Sequence, residues 1–545
     1  MIAAWAVAAL ALVLSCGYLG LIEPTETRYA EIGREMLGRG DWLIPHLNGI
    51  AHFHKPPLAY WASAAGMAVA GVNEWGARIG AALAGGFLLW CTARIARRHA
   101  SAIAMAAIGG ASDEEAHGVE ARAGLTASVA PLLLASTALF FALSHQLASD
   151  IFLAACVGGF YAAYLAPEGR GRLWLFVALG AGFMAKGPVV FVHTIAPLLV
   201  LALIRRSRTP IRPLGSGLGW LLFAVIALPW YVIAAARTPG LLPYFLGNQI
   251  WERYATTLHR RSGPWWYFLP IVLAGALPWT IAAFTNVRRA LRAPLGPLLF
   301  AWLVVPVLFF STSGSKLPAY VLPEFAALAV LAGAALAARG RVAAWGSAAF
   351  LAAIAIAIEA AGPPGLARAV GAVHAKTLPL PPLAHFATVA FAVAALACVA
   401  RAPRAACAIA LIGWYGLFGA FKTAEGPLGS PRALAGVLER ARSADEPIVE
   451  IGSFNAGVPF YLRTTVDLVE VPRDVDFDSP AALRREMLPA KALPALVRKS
   501  GIVWVLAPRG RAEAAADTLG IRVEPVVRWR GSELVAFVKE GGGRS

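Results

Sequence analysis

The chain of 545 residues has little charge. Only 14% of it is Asp, Glu, Lys or Arg against 58% hydrophobic residues, and its mean hydropathy is +0.64. Such a balance excludes a disordered segment and an ordinary water-soluble domain. Cysteine is scarce too. All five (Cys16, Cys91, Cys156, Cys398 and Cys407) lie in apolar runs with no metal-like spacing, which excludes a disulfide framework and a zinc knuckle. Lysine is rare beside arginine, eight of the 48 basic residues. The 31 acidic residues leave a net charge of +17 and a pI near 10.1. In a soluble chain that excess would point to nucleic acid. Here much of the Arg sits in short loops between apolar runs, which is how topology is signalled, so no nucleic-acid partner is read.

What the chain has in quantity is apolar runs near the ~20 residues that cross a bilayer. They fall near 2–22, 75–95, 126–145, 151–166, 173–186, 188–204, 217–236, 265–285, 295–312, 318–338, 342–361, 384–400 and 404–421, about thirteen spans, with 101–124 reading as a polar loop. No Lys or Arg precedes the first run, so it reads as an uncleaved span. With a cytoplasmic N-terminus, six Arg-bearing loops all face the cytoplasm. An odd count then puts 422–545 outside, beside the first outer loop at 22–74. The expected architecture is a polytopic α-helical membrane domain, 1–421, followed by a small extracytoplasmic α/β domain, 422–545. In the tail, the runs PIVEIGS, VPFYLRT, VDLVEV, GIVWVLA, VVRWRG and ELVAFVK read as strands alternating with helical stretches.

Charge is concentrated in one place. Residues 22–61 hold Glu23, Glu26, Arg28, Glu31, Arg34, Glu35, Arg39, Asp41, His46, His52, His54 and Lys55. Ionisable groups at a membrane face are costly unless used, so chemistry is expected here, with a solvated loop as the alternative. The lysines add a second signal. Lys55, Lys186, Lys316, Lys376 and Lys422 all fall at the outer face, three of them in FHKPPLAYW, FMAKGPVVF and SGSKLPAYVLP. A compact ammonium meets phosphate as a point charge, and snorkelling at a helix end is the competing role. Asp150, beside His145, sits between two apolar runs and needs either a partner or the role of a helix N-cap. In the outer loop 237–264, Trp251, Trp265, Trp266 and Tyr267 suit an aromatic belt, while Glu252, Arg253, His259, Arg260 and Arg261 add anion-binding capacity.

In this order, EPTETRYAEIGREM, GDWLIPHLNG, FHKPPLAYW, LASD, AKGP, HRRSGPWWYFLP and SGSKLPAYVLP resemble the bacterial lipid A aminoarabinose transferases and their wider relatives. These are polyprenyl-phosphate-sugar-dependent GT-C membrane glycosyltransferases related to protein O-mannosyltransferases. The resemblance runs through residues 1–340. It implies a thirteen-helix enzyme of the bacterial inner membrane that moves a sugar, with inversion, from undecaprenyl phosphate to a periplasmic lipid A, glycan or protein acceptor. The family's acidic-acidic-x-Arg-Tyr motif falls on Thr25, Glu26, Thr27, Arg28 and Tyr29, so its first carboxylate is replaced here by Thr25. Its Glu-Lys-Pro becomes His54, Lys55 and Pro56. The resemblance thus implies Glu26, Asp150 and Glu23 as catalytic acidic groups. Substrate contacts would be Arg28, Tyr29, Lys55, Lys186, Arg253, His259, Arg260, Lys316 and Tyr320. No cofactor is certain, and a divalent metal on His54 and His259 is an option. A lipid-linked sugar transporter is the rival class, disfavoured because the ionisable groups gather on one face and no internal repeat is visible. A glycan ligase is the rival within the enzyme class.

Overall fold

Apolar helices make up most of the computed structural model, which describes residues 4–108, 113–166, 169–245, 263–285, 287–338, 340–369, 382–471 and 487–539. Helix α1 (Ala4–Ser15) packs on α4 (Glu74–Ile108). Between them come the polar α2 (Thr25–Arg39), a hairpin of β1 (His46–Leu47) and β2 (Ile50–Ala51), and α3 (Leu58–Ala70). The hairpin turns on Asn48 and Gly49, whose φ of 53° and 84° suit the two-residue turn that Asn-Gly favours. Next come α5 (Asp113–Ala135), α6 (Ala138–Ser144), α7 (Ser149–Tyr164), α8 (Leu173–Lys186), α9 (Val190–His193), α10 (Ile195–Arg205) and α11 (Gly217–Arg237).

Among the described residues six helices are long and apolar enough to cross a membrane, or seven if a bent pair counts as one span; four shorter apolar helices accompany them. The expected thirteen runs map onto fewer unbroken helices because several of them bend. Residues 126–145 break by 62° between α5 and α6. There Ser136 and Thr137 turn their hydroxyls back onto the carbonyls of Leu132 and Leu134, ending the helix. The indole of Trp279 donates to the Ser136 hydroxyl and that of Trp414 to its carbonyl. Leu173–Arg205 forms one candidate span, interrupted at Gly187–Val189. Residues 265–285 form two short helices, Phe268–Gly275 and Thr280–Phe284, separated around Pro278. The polar loop expected at 101–124 is a correction: α4 continues to Ile108 and α5 starts at Asp113. Alanine-rich sequence favours helix whether or not it also carries charge.

The C-terminal unit is an α/β layer around a five-stranded sheet, β3 (Ile448–Ile451), β4 (Asp467–Val469), β5 (Ile502–Pro508), β6 (Arg522–Trp529) and β7 (Ser532–Val538), in the order β4-β3-β5-β7-β6. The first three strands are mutually parallel, and β7 and β6 close the sheet antiparallel. One expected strand, VPFYLRT, is instead the helix Gly457–Leu462, which packs on α2. Gly457 approaches so closely that an added Cβ would lie 2.2 Å from Pro431 Cγ and 3.0 Å from Glu23 Oε1. Its amide donates to that Glu23 oxygen at 2.7 Å.

The unit is therefore stapled to the charged stretch near the N-terminus. Leu21 N donates to the Tyr461 hydroxyl at 2.9 Å, Gly20 N to Glu425 at 3.0 Å, and the Asn48 amide exchanges two hydrogen bonds with the backbone of Val466, at 2.8 and 2.9 Å. Replacing Asn48 with Ala leaves two buried backbone groups unpaired, at ~1–3 kcal/mol. The expected outcome is faster proteolytic release of the C-terminal unit in Asn48→Ala. Unchanged protease resistance would show that the docking does not depend on this contact.

Candidate active site

Helix α2 supplies the frame of the site. Glu26 is 3% exposed and forks onto Arg78, which is equally buried, with both contacts at 2.7 Å. The remaining Arg78 donors go to the carbonyls of Cys16, Leu19 and Gly20. Glu26 also accepts from Ile22 N at 3.0 Å and from Leu147 N at 2.9 Å. Each of its oxygens thus serves both a guanidinium and a backbone amide. Glu26, expected as a catalytic acidic group, thus ties the 16–22 turn, α4 and the start of the LASD segment together. Its partner is Arg78, not Arg28. Glu23 is committed to the C-terminal unit through Gly457. Further along α2, burial pushes Glu31 up to about 8 against the pull of Arg34, whose guanidinium forks onto it at 2.6 Å, while Glu35 accepts from Gly49 N in the hairpin.

The hairpin region is seated by apolar packing. Asp41 accepts from the amides of Leu43 and Ile44, and the Trp230 indole of α11 donates to the Leu43 carbonyl at 2.8 Å. Phe53, Met184, Trp230, Leu241 and Phe245 then form a separate core beneath FHKPP. Met184 is two residues before Lys186, so this core ties the FHKPP segment to the end of α8. His54 lies half-buried against His52, with ring centroids 4.2 Å apart, and Lys55 is half-buried next to it.

Chemistry gathers where α7 begins and α8 ends. The helix-cap position of α7 falls on Ala148, with no side-chain cap, so Asp150 does not serve as the cap. Its carboxylate, in the first turn, instead accepts from Lys186 Nζ at 2.5 Å. Lys186 ends α8 because Gly187 follows at φ 75°, a turn that suits glycine. Its ammonium lies 4.6 Å from the centroid of the Tyr320 ring. Both members of the Asp150–Lys186 pair keep some solvent access, at 17% and 11% of their side-chain surface. Tyr29 comes in from α2 and stacks obliquely on Tyr60 of α3, with centroids 5.0 Å apart. Burial raises the pKa of the Tyr29 phenol. Its hydrogen bond with Ser149 opposes this, the Asp150 charge adds to it, and Arg28 opposes it. The net rise keeps Tyr29 a proton donor at neutral pH. A partly exposed carboxylate and ammonium thus meet with a buried phenol close by, an arrangement able to hold a phosphate and accept a proton.

Other expected residues sit apart or outside the description. Lys316 is buried and donates to the Ser313 carbonyl at 2.5 Å, with its stem packed near Gly263. Arg253, His259 and Arg260 lie outside the described residues, and so does any pairing of His54 with His259. Among the described residues no three His, Cys, Asp or Glu side chains gather as metal ligands, so no step is derived through a metal. A cavity of about 370 Å³ lined by His99, Arg122, Thr126, Arg289, Arg292 and Leu331 lies toward the far end of α4 and includes none of the site residues.

The comparisons with known proteins concern the chain as a whole. Over its whole length the chain is similar to the crystal structure of ArnT from Cupriavidus metallidurans bound to undecaprenyl phosphate, with a TM-score of 0.80 and 25% identity over 99% of this chain and 98% of that one. The chain is thus similar to the aminoarabinose transferase-like GT-C proteins. The apo form of the same protein matches with a TM-score of 0.76. The family model for dolichyl-phosphate-mannose-protein mannosyltransferase matches residues 54–111. Among curated relatives, an undecaprenyl phosphate-alpha-4-amino-4-deoxy-L-arabinose arabinosyl transferase of Pseudomonas fluorescens is 34% identical over 61% of this chain and 56% of its own length. One from Serratia proteamaculans is 29% identical over 57% of this chain and 54% of its own length. The chain thus spans little more than half the length of the curated relatives it matches.

Sequence reasoning missed four residues that shape the site: Arg78, Ser149 as partner of Tyr29, His193 and Glu324. Three of them carried a readable signal. Arg78, His193 and Glu324 are lone ionisable residues inside apolar runs, which do not stay unpaired within a membrane helix bundle.

Proposed function

We propose that the protein is an inverting membrane glycosyltransferase. It takes a sugar from an undecaprenyl-phosphate carrier and attaches it to a periplasmic acceptor, lipid A or another cell-envelope glycan. The observation that carries this reading is the Asp150–Lys186–Tyr320 cluster set in a fold shared, end to end, with a protein whose structure holds undecaprenyl phosphate. In the transfer, the bond from the anomeric carbon to the carrier phosphate breaks as the acceptor oxygen attacks from the opposite face. Negative charge grows on the departing phosphate, where Lys186, with Lys55 from the FHKPP segment, stabilises it. An acceptor hydroxyl loses its proton to Asp150. A phosphate acceptor needs no such base, and Asp150 then holds Lys186 in place. Thr25 and His54, which depart from the family pattern, make the sugar the open choice.

Membranes containing the protein, given undecaprenyl-phosphate-linked sugars and lipid A, should yield lipid A heavier by one sugar when read by mass spectrometry. Failure with every polyprenyl-phosphate sugar would overturn the reading. Label appearing in protein in place of glycan would favour the O-mannosyltransferase alternative, which the match over residues 54–111 supports. The same proposal places the N-terminus in the cytoplasm and the C-terminal unit in the periplasm, because the Arg-rich loops then share the cytoplasmic side. An enzymatic reporter fused after residue 545 should be active only outside the cytoplasm, and activity inside would reverse the orientation.

A further inference from the structure

Behind the site lies a second pair that the transfer chemistry does not use. His193 and Glu324 are 1% and 0% exposed, and His193 Nδ1 meets Glu324 Oε1 at 2.6 Å. The two segments that carry them also carry the site. The segment after Lys186 turns at Gly187–Val189 and runs through α9, which ends on His193. The 3-10 helix Pro318–Glu324 begins beside Lys316, presents Tyr320 to the Lys186 ammonium and ends on Glu324. The same two pieces of chain are therefore joined twice, at Lys186 with Tyr320 and at His193 with Glu324. The outer join touches solvent and the inner one does not. Aromatic packing locks the inner one: Phe310 lies 5.4 Å from the His193 ring and 5.2 Å from Tyr320, and the Tyr161 hydroxyl donates to the His193 carbonyl while its ring stacks on Trp302 at 3.9 Å. Glu324 also lies within electrostatic range of Lys186, whose ammonium pairs directly with Asp150.

We propose that the buried His193–Glu324 pair is a positioning strut that holds Lys186 and Tyr320 in register with Asp150 for transfer from the lipid phosphate. The inference rests on the function proposed above. The alternative is a pair that only stabilises the bundle. A buried polar pair, even a charged one, contributes little net stability compared with apolar side chains of the same volume, whereas an error of about 1 Å in the placement of a reacting group can cost on the order of 10²-fold in rate. Selection for placement thus explains the pair better than selection for stability.

The test is a double-mutant cycle on the full-length protein in membranes, with rates normalised to folded protein. Glu324→Gln keeps the shape and removes the charge. It should lower kcat on the order of 10²-fold, with a much smaller change in the donor KM. In a Lys186→Ala background it should add nothing further, because the strut acts through that lysine. Wild-type kcat in folded Glu324→Gln, or a fall fully additive to that of Lys186→Ala, would overturn the proposal. If Glu324→Gln does not fold, His193→Leu combined with Glu324→Leu leaves no unpaired buried charge and serves in its place, with the same two outcomes deciding.

A wild-type protein inactive with every polyprenyl-phosphate sugar would remove the proposed function without deciding the strut. The readout then becomes the rise in unfolding temperature of purified protein on adding undecaprenyl phosphate, which carries the charge that grows on the leaving group. Loss of that rise in Glu324→Gln, no deeper when combined with Lys186→Ala, supports the strut. A rise retained in Glu324→Gln overturns it, and a wild type showing neither turnover nor the rise overturns both readings.

Discussion

Glu26→Gln and Arg78→Leu should each leave much less folded protein than the wild type, because both break a pair buried at 3% exposure. Removing one member of such a pair strands the other charge, at about 3–5 kcal/mol, a large fraction of the ~5–15 kcal/mol that holds a typical domain folded. Arg78→Leu is expected to be the worse of the two. It also frees the carbonyls of Cys16, Leu19 and Gly20, the turn from which the chain enters α2. Thermal unfolding in detergent measures both. The pH dependence of turnover separates this role from a catalytic one: the surviving folded Glu26→Gln protein should keep the wild-type acid limb if Asp150 is the base, as proposed above. A variant with normal stability and no acid limb would return the role of base to Glu26.

The largest loss of activity is expected at the α7–α8 junction. Asp150→Asn keeps the shape of the side chain but no longer takes a proton, and loss of general-base help lowers the chemical step by about 10² to 10⁴-fold. With a phosphate acceptor the fall should be smaller, because that nucleophile is already ionised. Lys186→Ala removes a charge-assisted contact to the donor phosphate, a loss of about 1.5–3 kcal/mol in binding or transition-state stabilisation. Both side chains retain solvent access and sit at helix ends, so expression should hold. Turnover at the wild-type rate in either variant, assayed with a polyprenyl-phosphate sugar, would remove the cluster from the mechanism.

The composition and the run of apolar segments determined the class of this protein, a helical membrane bundle with an α/β tail, because a bilayer demands long apolar helices and a β-rich tail shows in its alternation. The short motifs around Lys55, Asp150, Lys186 and Tyr320 pointed to phosphate chemistry because lysine is otherwise almost absent from the membrane part. Other features depended on contacts across hundreds of residues. Linear spacing shows that Glu26 is acidic and near Arg28. It does not show that Arg78, two helices later, comes back to claim both of its oxygens, nor that the amide of Leu147 uses one of them. The break between α5 and α6 is likewise held by indoles from Trp279 and Trp414, more than 130 residues away in sequence. Hydropathy reads a helix by its average over a window, and a buried ion pair or a bent span is set by single groups that the window averages out. Only the folded chain decided that the Glu26 carboxylate is tied up with Arg78 and two backbone amides and that Asp150 meets Lys186.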